Sequence, residues 1–209
     1  MKTARLELPL IVAIGGTARP NSSTECALRL ALNEAAREGA RVMLLAGPDL
    51  EMPLYAPERP ERSEKAKRLV SALHEADGIL IGSPGYHGGV SGLVKNALDY
   101  AEDLRNDAAP YFEGRPVGCI VTAAGWQGSM TTLTSMRSIV HALRGWPTPL
   151  GVCVNTATRV FDEDGGCLCE KTASQLSEMG KQVLWFARET RNYSRTGRTE
   201  PVFWSAQGG

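Results

Sequence analysis

The chain has no surplus of either charge. Lys and Arg total 23 and Asp and Glu total 23 among 209 residues, a formal net charge of zero. That removes the basic footprint by which nucleic-acid binders recruit phosphate. No apolar run reaches the roughly 20 residues that cross a bilayer. The segment after Met1-Lys2-Thr3-Ala4-Arg5 holds no long apolar stretch before Gly15, so a signal peptide is not expected. The five cysteines are odd in number and scattered, which excludes a disulfide framework and points to a reducing, cytoplasmic setting. Cys119 and Cys153 lie in apolar runs and read as small core residues; Cys26 stands alone. Cys167 and Cys169 form the one close pair, but no second Cys/His pair stands at zinc spacing, so they read as free thiols near a turn and no metal is expected. Histidine is scarce, and His74 and His141 fall within helical patterns as surface or capping groups. Two phosphate signatures are missing. There is no Gly-Lys-Ser/Thr, and no G-x-G-x-x-G follows the first apolar run. Six residues after Cys26 stands Leu32 rather than arginine, which excludes a thiolate phosphatase loop.

Hydrophobic residues make up 43%, enough for a sizeable core in a chain of this length. Continuous apolar runs at Leu8–Ile14, Arg41–Ala46, Gly78–Gly82, Val117–Ala123 and Leu150–Asn155 read as strands buried on both faces. Between them, apolar residues recur at helical spacing: from Thr24 or Glu25 to Gly39, Glu61 to Ala76, Ser91 to Leu104 and Thr131 to Arg144, with a last helix from Glu170 to Thr190. Ser91 is a candidate N-cap. Strands alternating with helices define an α/β protein with a doubly wound sheet. Ligands of such sheets sit at the carboxyl ends of the strands. No repeat or linker divides the chain. Residues 191–209 form a polar tail with an apolar patch at Val202-Phe203-Trp204. The acidic run Asp162 to Asp164 reads as a solvated turn. The proline-rich connection from Asp49 to Arg62 carries Leu54 and Tyr55, placed to pack over a site or an interface.

Three loops should converge. The first, Gly15 to Thr24, offers the hydroxyls of Thr17, Ser22, Ser23 and Thr24, the Arg19 guanidinium and a helix N-terminus. Unpaired N–H groups and the helix dipole favour an anion there, and a guanidinium adds donors that suit phosphate. With the dinucleotide and Walker signatures missing, such a cradle suits a monophosphate such as that of FMN. The second loop, Ser83 to Gly92, holds Tyr86 and His87 among four glycines and suits a flat ligand. The third, Ala124-Gly125-Trp126-Gln127-Gly128-Ser129, follows the fourth strand; its Trp126 suits a ligand or an interface.

These motifs resemble the NAD(P)H-dependent FMN reductase family of flavodoxin-like proteins. Gly16-Thr17-Ala18-Arg19-Pro20-Asn21-Ser22 meets the family's Gly-Ser/Thr-x-Arg-x-x-Ser loop. Pro84-Gly85-Tyr86, with Ser91-Gly92-Leu93-Val94-Lys95-Asn96-Ala97-Leu98-Asp99, meets its second signature, about 70 residues on. The resemblance covers roughly Ile11 to Asn155. It implies a three-layer flavodoxin-like domain over residues 1–190 that binds FMN, with a five-stranded parallel sheet in the order 2-1-3-4-5. It implies FMN phosphate at Thr17, Arg19, Ser22, Ser23 and Thr24, the ring edge at Pro84, Gly85, Tyr86, His87 and Gly88, and the pyrimidine side at Ala124, Gly125, Trp126, Gln127 and Gly128. His87 stands where the family often has Asn or Lys, and Trp126 is bulkier than its loop usually carries. Lys95-Asn96 is expected to support the loop from the helix.

The implied function is an FMN-dependent oxidoreductase using NADPH or NADH. The flavin carries the redox chemistry, so no catalytic side chain is expected. Backbone N–H groups of Gly125 to Gly128 are placed to stabilise charge on the reduced ring. The expected acceptor is free flavin, in service of a partner monooxygenase, or a quinone, azo compound or metal oxyanion. A one-electron flavodoxin carrier is disfavoured, since such carriers are strongly acidic. The resemblance also implies a homodimer or homotetramer.

Overall fold

A computed structural model describes residues 8–196, so the Val202-Phe203-Trp204 patch lies outside the described residues. Among the described residues, six strands and five α-helices follow in this order: β1 (Leu10–Gly15), α1 (Ser23–Arg37), β2 (Arg41–Ala46), α2 (Glu64–Glu75), β3 (Gly78–Tyr86), β4 (Gly89–Val90), α3 (Gly92–Asp99), β5 (Pro116–Ala123), α4 (Trp126–Ala142), β6 (Trp146–Asn155) and α5 (Glu170–Thr196). The sheet order is β2-β1-β3-β5-β6, all parallel, and the two-residue β4 pairs antiparallel with the end of β3. With β4 set aside, this is the expected order of a flavodoxin-like sheet.

Alternation along each strand explains the continuous apolar runs. Successive side chains point to opposite faces. Val12, Ile14, Ile79 and Ile81 therefore meet α2, α3 and α4 through Leu69, Leu73, Ala97 and Val140. Ile11, Ala13, Leu80 and Ile120 meet α1 and α5 through Leu28, Ala31, Leu176 and Val183. Both faces of the central strands β1, β3 and β5 are covered, and their polar residues Ser83 and Thr122 stand near the carboxyl ends. The edge strands β2 and β6 are partly exposed, where the sequence reading expected burial on both faces. Each fully buried Ile or Leu contributes about 1.5–3 kcal/mol of transfer free energy. Ser22, Ser63 and Ser91 cap α1, α2 and α3 by accepting from the N–H groups of Glu25, Ala66 and Val94.

Several boundaries differ from the sequence reading. β3 does not stop at Gly82 but continues to Tyr86, because a hairpin with β4 gives its last residues backbone partners. α4 starts at Trp126 rather than Thr131, so Trp126, Gln127 and Gly128 occupy a first helical turn and not a loop. β6 starts at Trp146; Pro147 and Pro149 are tolerated because it is an edge strand. α5 runs to Thr196, so the tail boundary expected after Thr190 falls inside a helix. The turn at Asp162 is a small hairpin closed by a Phe161–Cys167 bridge, and the Asp162 carboxylate accepts from the N–H groups of Asp164 and Gly166.

Candidate active site

The carboxyl ends of β1 and β3 touch through backbone. Gly15 has φ +148°, and a Cβ there would lie 1.9 Å from the Gly82 carbonyl oxygen. The Gly16 N–H donates to that same oxygen at 3.2 Å. Only glycine permits this approach.

From there the chain turns through the first loop. The Thr17 hydroxyl accepts from the Arg19 N–H at 3.2 Å. Asn21 takes a left-handed conformation (φ 55°), and its N–H donates to Glu25 Oε2 at 2.9 Å. Glu25 is buried, and its charge is answered by Arg29 one turn on. Ser22 Oγ accepts from the Glu25 N–H at 3.3 Å. The N–H groups of Ser23 and Thr24 in the first turn have no intrahelical acceptor. Arg19 is exposed and forms no ion pair among the described residues. Thr24 is buried, and its hydroxyl lies 2.6 Å from that of Thr122 on β5. That pairing ties the start of α1 to the sheet, a role the sequence reading did not foresee.

The second stretch is a hairpin. His87 (φ 53°) and Gly88 (φ 80°) form its two central residues, both left-handed, as a primed two-residue turn requires. Asn and Gly suit such positions, which gives a backbone reason why Asn would be at home where this chain has His87. Tyr86 is 55% exposed beside the tip. Ser83, fully buried, accepts from the Ser91 N–H at 2.9 Å and donates to the Pro84 carbonyl at 2.8 Å, joining the hairpin to the cap of α3. Lys95 instead pairs with Asp99. Asn96 holds the proline-rich connection rather than this hairpin, accepting from the Tyr55 N–H and donating to the Pro53 carbonyl. Tyr55 packs edge-on against Tyr100 at 5.3 Å, while Leu54 is exposed.

At the third position, Gly125 is the extended N-cap of α4 and offers no side-chain cap. The N–H groups of Trp126, Gln127 and Gly128 therefore stand without intrahelical acceptors at a helix N-terminus. α4 abuts the hairpin: a Cβ on Gly85 would come 2.9 Å from Thr132 Oγ1 and 3.4 Å from the Gly128 carbonyl oxygen. Ala124 is exposed beside the cap.

An open cleft of about 520 Å³ joins the first loop to the hairpin. Thr17, Ala18 and Arg19 line one side, Pro84 and Tyr86 another, and Ser91, Gly92 and Leu93 the third. Its lining holds one cation and no carboxylate. Of the sequence-predicted site residues, Thr17, Arg19, Pro84 and Tyr86 line this cleft. Ser22, Ser23, Thr24, Gly85, His87, Gly88 and the 124–128 segment surround the cleft without lining it. Ala18, Ser91, Gly92 and Leu93 were not expected as lining. Ser91, Gly92 and Leu93 stood in the second signature, Ser91 as a candidate helix cap, but none of them was named as a ligand contact.

A parallel sheet of this order, covered by helices on both faces and carrying an anion-type loop beside an aromatic hairpin at its carboxyl edge, belongs to the flavodoxin-like class. Within it the chain matches the NADPH-dependent FMN reductase family over residues 9–159, and it belongs to that family. Among curated relatives, an FMN-dependent NADPH-azoreductase of Staphylococcus aureus (strain USA300) is 33% identical over 120 residues, which is 57% of this chain and 60% of the azoreductase. The match therefore spans less than two thirds of that relative. Among solved structures, the NAD(P)H:(acceptor) oxidoreductase FerB of Paracoccus denitrificans superposes with a TM-score of 0.71 at 20% identity, covering 88% of this chain and 99% of FerB. A WrbA-like flavodoxin of Agrobacterium tumefaciens gives 0.60 at 17%, covering 87% of this chain and 99% of that one. At these identities the two structures speak for the fold alone.

Proposed function

We propose that the chain binds FMN and works as an NAD(P)H-dependent oxidoreductase, most directly an NAD(P)H:flavin reductase. The observation that carries this reading is the cleft between the Arg19 loop and the Tyr86 hairpin, in a chain of the FMN reductase family. The donor set fits the group. Arg19, the Thr17 hydroxyl and the free N–H groups of Ser23 and Thr24 would hold the phosphate, with Ser22 and Thr24 shaping the loop from below. Pro84, Gly85 and Tyr86 would flank the ring, with His87 and Gly88 at the turn beside it. The N-terminus of α4, from Ala124 and Gly125 through Trp126, Gln127 and Gly128, would present N–H donors and the positive end of its dipole to the ring's polar edge. Bound FMN would supply the redox chemistry, taking a hydride from NADPH or NADH and passing electrons to an acceptor. The side chains of the cleft bind, orient and exclude water; none needs to act as acid or nucleophile.

The same reading takes the protein as a cytoplasmic homodimer or homotetramer that serves free flavin, with a monooxygenase as a possible consumer of the product. The five free thiols support the reducing compartment. Azo or quinone reduction at the same cleft is a second reading, favoured by the Staphylococcus relative. The test is reconstitution with FMN, a visible spectrum, and anaerobic titration with NADPH and NADH. Bound flavin bleached by either nucleotide supports the reading, and failure to bind FMN overturns it. FMN that survives gel filtration, with quinone or azo compound outrunning free flavin, selects the second reading.

A further inference from the structure

A second groove, of about 610 Å³, lies over the exposed edge of β6, between the start of α4 and the start of α5. Part of its wall is apolar and exposed: Trp126 is 61% exposed, Met130 54% and Leu168 60%. Asn155, Thr158, Thr172 and Gln175 supply a polar part. Large apolar side chains gathered at one exposed place mark a binding surface. Its charge is one-sided. Arg159 and Lys171 line it and no carboxylate does, in a chain whose total charge balances. Lys171 forms no ion pair among the described residues, whereas Arg159 is partly engaged by Glu163 at 3.6 Å. Lys171 also lies in the first turn of the 27-residue α5, whose dipole adds positive potential. Cys169 stands just before that helix. Its thiol sits below the ordinary range because the Thr172 hydroxyl and N–H stabilise the thiolate, with Lys171 adding to them. Finally, Trp126 of the groove follows Gly125, the cap of α4, so the groove adjoins the helix N-terminus proposed above to face the flavin.

We propose that this groove binds flat aromatic anions, aryl sulfonates or carboxylates, with the ring against Trp126 and Met130 and the anionic group at Lys171 and Arg159. It would then take up electron acceptors of that class for the neighbouring site. The second statement rests on the function proposed above; the first does not. For a quinone of this class the reaction balances as NAD(P)H plus a proton plus quinone giving NAD(P)+ plus hydroquinone.

Titration calorimetry with naphthalene sulfonate, on the protein both without and with FMN, tests the binding. Lys171→Met should weaken naphthalene sulfonate about fivefold, the worth of one partly exposed ion pair. It should leave neutral naphthol unchanged, and Arg159→Met should have a smaller effect in the same direction. With FMN loaded, Lys171→Met should raise KM for a sulfonated naphthoquinone and leave kcat and the KM of its unsulfonated parent unchanged. Equal affinity of the variants and wild type for naphthalene sulfonate overturns the proposal. So does its displacement by adenosine bisphosphate, which would assign the groove to the nicotinamide nucleotide. Should FMN fail to bind while the sulfonate binds with the stated Lys171 dependence, the function proposed above falls and the groove stands.

Discussion

Replacing Arg19 with alanine isolates the phosphate assignment from everything else in the fold. The side chain is exposed and forms no ion pair among the described residues, so its loss leaves the folded state with no stranded partner and the melting temperature should not move. If the guanidinium meets the phosphate of FMN, it does so as a charge-assisted donor. Such a hydrogen bond contributes about 1.5–3 kcal/mol, or roughly 10- to 150-fold in Kd. Exposure to solvent and salt places the effect near the lower end, about 10-fold, and it should shrink as ionic strength rises. Fluorescence quenching titration of FMN measures the loss. Riboflavin, which has the same ring and no phosphate, provides the control. Arg19→Ala should weaken FMN and leave riboflavin unchanged, and Arg19→Lys should recover part of the difference, keeping the charge but not the fork. An FMN-to-riboflavin affinity ratio equal to that of wild type would refute the assignment, whatever the absolute affinities.

Gly15→Ala should damage the fold as well as the site. The new Cβ meets backbone at 1.9 Å and cannot be relieved by a side-chain rotation, and the Gly16–Gly82 hydrogen bond shares the strain. A loss of about 3 kcal/mol or more is expected from overpacking and the strained bond together. Urea unfolding checks it, and a loss under about 0.5 kcal/mol would contradict the close approach, since surface-like tolerance is of that size. The thiols should separate by pH. Because the Cys169 pKa lies below the ordinary value, its thiolate fraction at neutral pH is larger and its alkylation by iodoacetamide should rise at lower pH than that of a model thiol. Burial pushes Cys119 up to about 12, so it should stay unlabelled until the protein unfolds. Thr172→Val should return Cys169 towards ordinary behaviour. Peptide mapping that finds Cys119 labelled before Cys169 would refute this ordering.

Much of the architecture could be read from the chain because it rests on short-range physics. A strand buried on both faces has to be apolar throughout, and Ile11 to Ile14 and Ile79 to Ile81 say so without reference to any partner. Helix caps are equally local. Ser22 and Ser91 accept from N–H groups three residues on, so their role follows from their place before an amphipathic run. The hairpin at His87 was less legible. Tyr86-His87-Gly88-Gly89 lacks the Asn-Gly pair that marks a primed turn, and the β3–β4 ladder is only two residue pairs long. The start of α4 was misplaced because Gly125 and Gly128 look like loop residues, although a glycine cap with no side-chain partner starts the helix there.

The class of fold, the existence of five parallel strands and the residues from which an anion loop is made were legible in the chain, since periodicity, capping and composition act over a few neighbouring residues; that β2 and β6 are partly exposed edges was not. The tertiary structure alone decided which of those residues face the cleft. Thr24 turns inward to Thr122, a hydroxyl 98 positions away, while Arg19 stays exposed on the rim. It also decided that Leu93 lines the cleft and that Trp126, Leu168 and Lys171 meet over the edge of β6. Those placements depend on strand order and on how helices seat across the sheet, contacts between segments far apart in the chain that no local pattern encodes.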